Sequence, residues 1–110
     1  MLKISLDALA RQQISQAAAS GSGRSAETVY GGHEKLLRQT VIAMTEGSQL
    51  SDHESPGEAT LQVLQGRVVL AAGDVSWEGR TGDMIVVPDS RHRVEALEDS
   101  AMLLTVVKRP

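Results

Sequence analysis

The sequence predicts an all-β barrel or sandwich behind a short amino-terminal α-helix. Three observations carry this expectation. Short apolar segments recur at close spacing from Leu36 to Val107 and are punctuated by Gly, Asp and Pro, as strands and turns are. They follow one another directly instead of alternating with helical segments, which argues against a parallel α/β sheet. The 110 residues suffice for a single core and not for two.

Residues Ser5 to about Ala18 are rich in helix formers, and Leu6, Leu9, Ala10, Ile14 and Ala17 fall near one face, with Gln12, Gln13 and Gln16 elsewhere. Ser5 suits the N-cap, and Asp7 lies in the first turn, where the helix dipole favours negative charge. The run Ala19 to Ser25 holds two glycines and three serines and reads as a flexible joint. Residues 1–25 are therefore expected to be a helix and joint appended to a β-domain spanning 26–110.

Within that domain Glu27–Tyr30 is a short strand candidate, Gly31-Gly32 a turn, and Leu36–Met44 a longer strand centred on Thr40, Val41 and Ile42. Next come Leu61–Leu70, a turn at Ala72-Gly73-Asp74, then Val75–Glu78, Met84–Val87 and Met102–Val107. Leu37, Val41 and Ala43 share one face of their strand while Ile42 and Met44 share the other, and neither parity of 102–107 is polar throughout. Both faces are expected to be covered, by the amino-terminal helix or by a second subunit, and a homodimer is the preferred arrangement. Met44, Met84 and Met102 read as core residues, and Trp77 as an anchor on the exterior or at a dimer contact.

Composition excludes several function classes. The net charge is −3 and the basic residues are scattered among carboxylates, so the stripe that a phosphate backbone requires is missing and nucleic acid is not an expected partner. Tyr30 and Trp77 are the only aromatic residues, which leaves no stacking platform for bases or sugars. Without cysteine there is no disulfide, thiolate ligand or thiol nucleophile. No apolar run is long enough to span a bilayer and no signal-peptide pattern opens the chain, so no membrane association and a cytoplasmic location are expected. No Gly-x-Ser-x-Gly elbow, phosphate-cradling glycine loop or His-Glu-x-x-His helix is present.

Candidate chemistry lies in two glycine-led stretches, Gly47 to Gly66 and Gly82 to His92, each placing a histidine shortly after a glycine and beside turn residues. Alternate residues of a strand share a face, so residues two apart, such as His53 and Ser55, would point into the same interior. Arg38 and Gln39 are neighbours on one strand, so one of them faces inside, where it could bind a carboxylate or carbonyl. His33 reads as an exposed turn residue.

These spacings resemble the two halves of the signature of the RmlC-like cupins, of the cupin-2 conserved-barrel type, over roughly Leu37 to Val107. In the first half Gly47 and His53 match, Ser55 stands where the family has a second histidine, Ala59 where it has glutamate or glutamine, and Gly66 closes the motif. In the second half Gly82 and Pro88 match, Ser90 replaces a glycine, and His92 arrives one residue early. The resemblance implies a double-stranded β-helix, the jelly-roll cupin barrel, that usually holds a divalent metal. Iron, manganese, nickel or zinc would then be held by His53, His92 and one improvised ligand. Glu58 is the candidate for that ligand, although its parity is opposite to that of His53 and a bulge at Pro56-Gly57 would be needed to turn it inward.

The expected function is a cupin-type barrel that binds a small molecule among His53, Ser55, His92, Gln39 and Arg38, with the metal site reduced or absent. The alternatives are a metal-dependent oxygenase or isomerase, and a non-catalytic regulatory or structural homodimer.

Overall fold

In the computed structural model, which describes residues 2–54 and 57–109, helix α1 (Leu6–Ala19) starts at the expected cap: Ser5 Oγ accepts the Ala8 N–H at 3.3 Å. Its buried residues are Leu9, Ala10, Gln13 and Ala17, so Gln13 lies on the packed face. Among the described residues nine strands follow: β1 (Arg24–Tyr30), β2 (Leu37–Met44), β3 (Gln49–His53), β4 (Gly57–Gln65), β5 (Arg67–Ala72), β6 (Val75–Arg80), β7 (Met84–Val86), β8 (His92–Ala96) and β9 (Ser100–Lys108). They form two antiparallel sheets, ordered β1-β2-β9-β4-β7 and β3-β8-β5-β6. This is the all-β jelly roll with one short helix that the sequence predicts.

Two departures from the sequence reading matter. The apolar run Leu61–Leu70 is not one strand: it breaks at Gly66, which has φ +94°, and its halves β4 and β5 enter different sheets. Strands β3 and β8, which hold the two histidines, are short and carry little apolar period, yet they pair with each other.

Register decides which side chains meet. Arg38, Ile42 and Met44 of β2 lie opposite Val106, Met102 and Ser100 of β9, and Ala59, Leu61 and Val63 of β4 lie opposite Val106, Leu104 and Met102. These residues face the second sheet, whose Val68, Leu70, Val94 and Ala96 complete the core. The Met44, Val63, Val68, Ala96 and Met102 end is fully buried, so one end of the barrel is plugged by aliphatic and thioether groups. Met84, by contrast, is 60% exposed on the outer side of the edge strand β7 and is not a core residue.

The opposite parity of the first sheet is covered by α1. Ala10 and Ala17 pack on Ala43 and Ala101, and Leu9 packs on Val41 and Leu103. Small side chains at that contact let the helix backbone approach the sheet closely. The two-sided apolar pattern of β2 and β9 is thus explained within one chain. Trp77 stands opposite Leu70 on β6, at the open edge between the sheets, and is 44% exposed. Among the described residues no helix is long and apolar enough to cross a membrane.

Candidate functional site

The two histidines are brought together by an irregularity in β3. Leu50 lies opposite Val94 and His53 opposite His92, so β3 spends three steps where β8 spends two. One extra residue in a strand reverses which face the following side chains occupy. His53 therefore shares the inward side with Leu50 and His92, while Asp52 lies 3.8 Å from Arg93 in an ion pair. This irregularity is not the bulge expected at Pro56-Gly57, of which Pro56 lies outside the described residues, and it serves His53 and not Glu58.

On β8 the residue delivered inward is His92, buried at 5% exposure, while Arg93 next to it is exposed. His92 is thus delivered inward although it arrives one residue early in the motif. The two imidazole centroids stand 4.4 Å apart with their planes at 63°, an edge-to-face pair.

Both rings are held in the same way. His53 Nδ1 lies 2.8 Å from the Ser51 carbonyl oxygen, and His92 Nδ1 lies 2.9 Å from that of Ser90. A carbonyl only accepts, so each Nδ1 carries a proton and donates. In the neutral ring this leaves Nε2 as a lone-pair acceptor. In each case the carbonyl two residues earlier thus holds the imidazole in the tautomer that leaves Nε2 as the acceptor.

A cavity of about 240 Å³ lies against the pair, lined by Arg38, His53, Glu54, Ala59, Val87, His92, Leu104 and Val106. Of the neighbours Arg38 and Gln39, Arg38 is the inward residue. Gln39 faces the helix side, where it donates through Nε2 to Thr105 Oγ1 at 3.2 Å and lines a separate hollow with Leu6, Val29 and Leu103. Its expected place in the pocket is therefore corrected by strand alternation. Ser55 lies outside the described residues. His33 is exposed in the β1–β2 loop, apart from the pocket lining.

Ala59 is in the pocket wall, at the position where the resemblance expects a carboxylate or amide ligand. Its methyl group ligates nothing. Glu58 is exposed on the other side of β4, opposite Val107, and is not brought to the histidines. Glu54 is at the rim, 3.7 Å from Arg91, with both side chains exposed. Among the described residues no three His, Cys, Asp or Glu side chains converge.

A resident divalent metal therefore does not fit the described residues. Two nitrogen donors fall short of the three protein ligands usual in an open metal site. The Arg38 guanidinium in the same wall also opposes a second cation. What the arrangement offers is one guanidinium and two imidazole acceptors over an aliphatic floor.

No protein-family model matches the chain. No curated protein matches it either. Solved structures do. A conserved protein of unknown function from Streptococcus pyogenes is 27% identical, with a TM-score of 0.72 over 83% of this chain and 79% of that one. A cupin superfamily protein from Desulfitobacterium hafniense is 17% identical, with a TM-score of 0.71 over 78% of each chain. A salicylate 1,2-dioxygenase from Pseudaminobacter salicylatoxidans is 15% identical, with a TM-score of 0.74 over 91% of this chain and 33% of that one. Likeness at this identity carries the fold and leaves activity to be argued from the site.

Proposed function

Because the chain is a small cupin-fold domain with that cavity at one end of its barrel, we propose that it binds a small organic molecule between its sheets, without a resident metal. The observation that supports this most is the combination of two imidazoles fixed in one tautomer with a wall of Ala59, Val87, Leu104 and Val106. Ligand sites pair apolar surface with a few placed polar groups, and this pocket has that make-up. At about 240 Å³ it suits a metabolite smaller than a drug-sized molecule.

The experiment has two arms on protein purified without an affinity tag. Elemental analysis should find iron, manganese, nickel and zinc far below one ion per chain. A ligand-observed NMR screen of small metabolites should find binders that are lost in the His53→Ala, His92→Ala double variant. A stoichiometric metal that disappears in that variant would instead establish the metal-dependent alternative. Absence of any binder that depends on the two histidines would remove the small-molecule reading.

A further inference from the structure

Arg38 is the feature of the pocket that the small-molecule reading does not by itself explain. It is half-buried on β2, where it lies opposite the fully buried Val106. The other arginines near this end of the barrel have carboxylate partners: Arg91 with Glu54, Arg93 with Asp52, and Arg109 with Asp89 at 2.8 Å. Among the described residues no carboxylate pairs with Arg38. Glu54, which lines the same cavity, is turned to Arg91.

A guanidinium withdrawn partly from water and left without an anion loses hydration that no carboxylate among the described residues replaces. Its planar fork of donors matches a carboxylate in two parallel hydrogen bonds. The facing imidazoles have the complementary requirement. With both Nδ1–H groups given to backbone carbonyls, their Nε2 atoms accept hydrogen bonds and do not donate them in the neutral ring. A bare anion satisfies Arg38 and leaves these acceptors facing its negative oxygens. A neutral alcohol gives its one O–H to an imidazole acceptor and leaves Arg38 alone. One molecule meets both conditions if it carries a carboxylate and, beside it, an O–H or N–H donor.

Building on the small-molecule reading of this pocket, we infer that the ligand is a small hydroxy- or amino-carboxylate with an aliphatic body. The carboxylate sits on Arg38, the donor group on the imidazole pair, where an ammonium reaches Nε2 of both His53 and His92 and a hydroxyl reaches one of them, and the carbon chain on Ala59, Val87, Leu104 and Val106. Arg38 is then the residue that sets ligand class.

The test uses four five-carbon probes of one shape: 2-hydroxyisovalerate, valine, isovalerate, which lacks the donor, and 2-hydroxyisovaleramide, which lacks the charge. Affinities are read from chemical-shift titrations of the 15N-labelled full chain, with the imidazole signals of His53 and His92 followed directly. The hydroxy acid or the amino acid is expected to bind and to move both imidazole signals. Arg38→Gln should weaken that binding on the order of 10- to 100-fold, and Arg38→Lys, which keeps a point charge without the fork, by less. Isovalerate should bind several-fold more weakly than the better of the two donors, as befits the loss of a hydrogen-bond donor. Unchanged backbone signals away from the pocket show that each variant is folded, and Arg38→Lys carries the comparison if Arg38→Gln is not.

The ligand class is overturned if the amide binds as well as the acid, or if Arg38→Gln changes nothing. It is equally overturned if isovalerate matches both donor-bearing acids, or if none of the four binds while neutral molecules from the metabolite screen do. Those results leave the small-molecule reading standing. Failure of all probes and of the whole screen removes that reading as well.

Discussion

Protein carrying Ala59→Glu is expected to bind a divalent cation at the histidine pair at least about 100-fold more tightly than the parent chain. Ala59 lines the cavity with His53 and His92, and its partner across the ladder, Val106, lies in the core. A side chain at position 59 therefore projects where a third ligand is needed. Glutamate there adds an oxygen donor to two cavity-lining imidazoles whose Nδ1–H groups are already given to backbone carbonyls, making up the three ligands of an open site. It also supplies Arg38 with a carboxylate, which limits the cost of burial. Glu58→Ala is the matched control and should leave metal affinity unchanged, because Glu58 is on the exposed side of β4. Isothermal titration with zinc or nickel reads both. Equal affinity in parent and Ala59→Glu protein would mean that the pocket wall is wrongly placed or that the parent already holds a metal.

Replacing Gly66 by alanine is expected to cost about 3 kcal/mol or more of folding stability. The residue joins β4 to β5 at φ +94°, a region that a side chain disfavours, and space is as restrictive as conformation. An added Cβ would stand 2.5 Å from the Asp99 carbonyl oxygen, 2.9 Å from Ser100 Cα and in collision with Ser100 Oγ. Ser100 is fully buried, and its hydroxyl accepts the Arg67 N–H at 3.0 Å, so it has little room to yield. Gly82 isolates the steric part: its φ is +92°, but nothing lies within 4 Å of an added Cβ. Gly82→Ala should cost only about 1–2 kcal/mol. Urea unfolding of both variants checks the difference, and equal losses would refute the crowding argument.

Much of the site was legible because glycine and proline report backbone needs directly. The stretches led by Gly47 and Gly82 aim His53 and His92 at one place, and Ala59, which stands where the motif has glutamate or glutamine, lines the same cavity. The face of Arg38 against Gln39 stayed open, since both are polar and neither shows which parity is inward. Counting from Leu37, Val41 and Ala43 as the helix-covered face would have resolved it, but that needed the helix to be seated first. The β3 bulge was invisible because Ser51 and Asp52 lie in a strand with a single apolar residue and thus no period to break. The strand break at Gly66 is hidden for the opposite reason: apolar residues continue on both sides of it, and nothing local says that they enter different sheets.

The central claim is that His53 and His92 face one cavity, with each Nδ1–H donated to a carbonyl of its own backbone and each Nε2 left as an acceptor. Long-range proton–nitrogen correlation of the imidazoles in 15N-labelled protein, at a pH where the rings are neutral, tests it most directly. The account predicts the same Nδ1–H tautomer for both rings, and a shift of the His53 signals when His92 is changed to glutamine. An Nε2–H tautomer at either ring, or a His53 spectrum indifferent to the His92→Gln change, would contradict it.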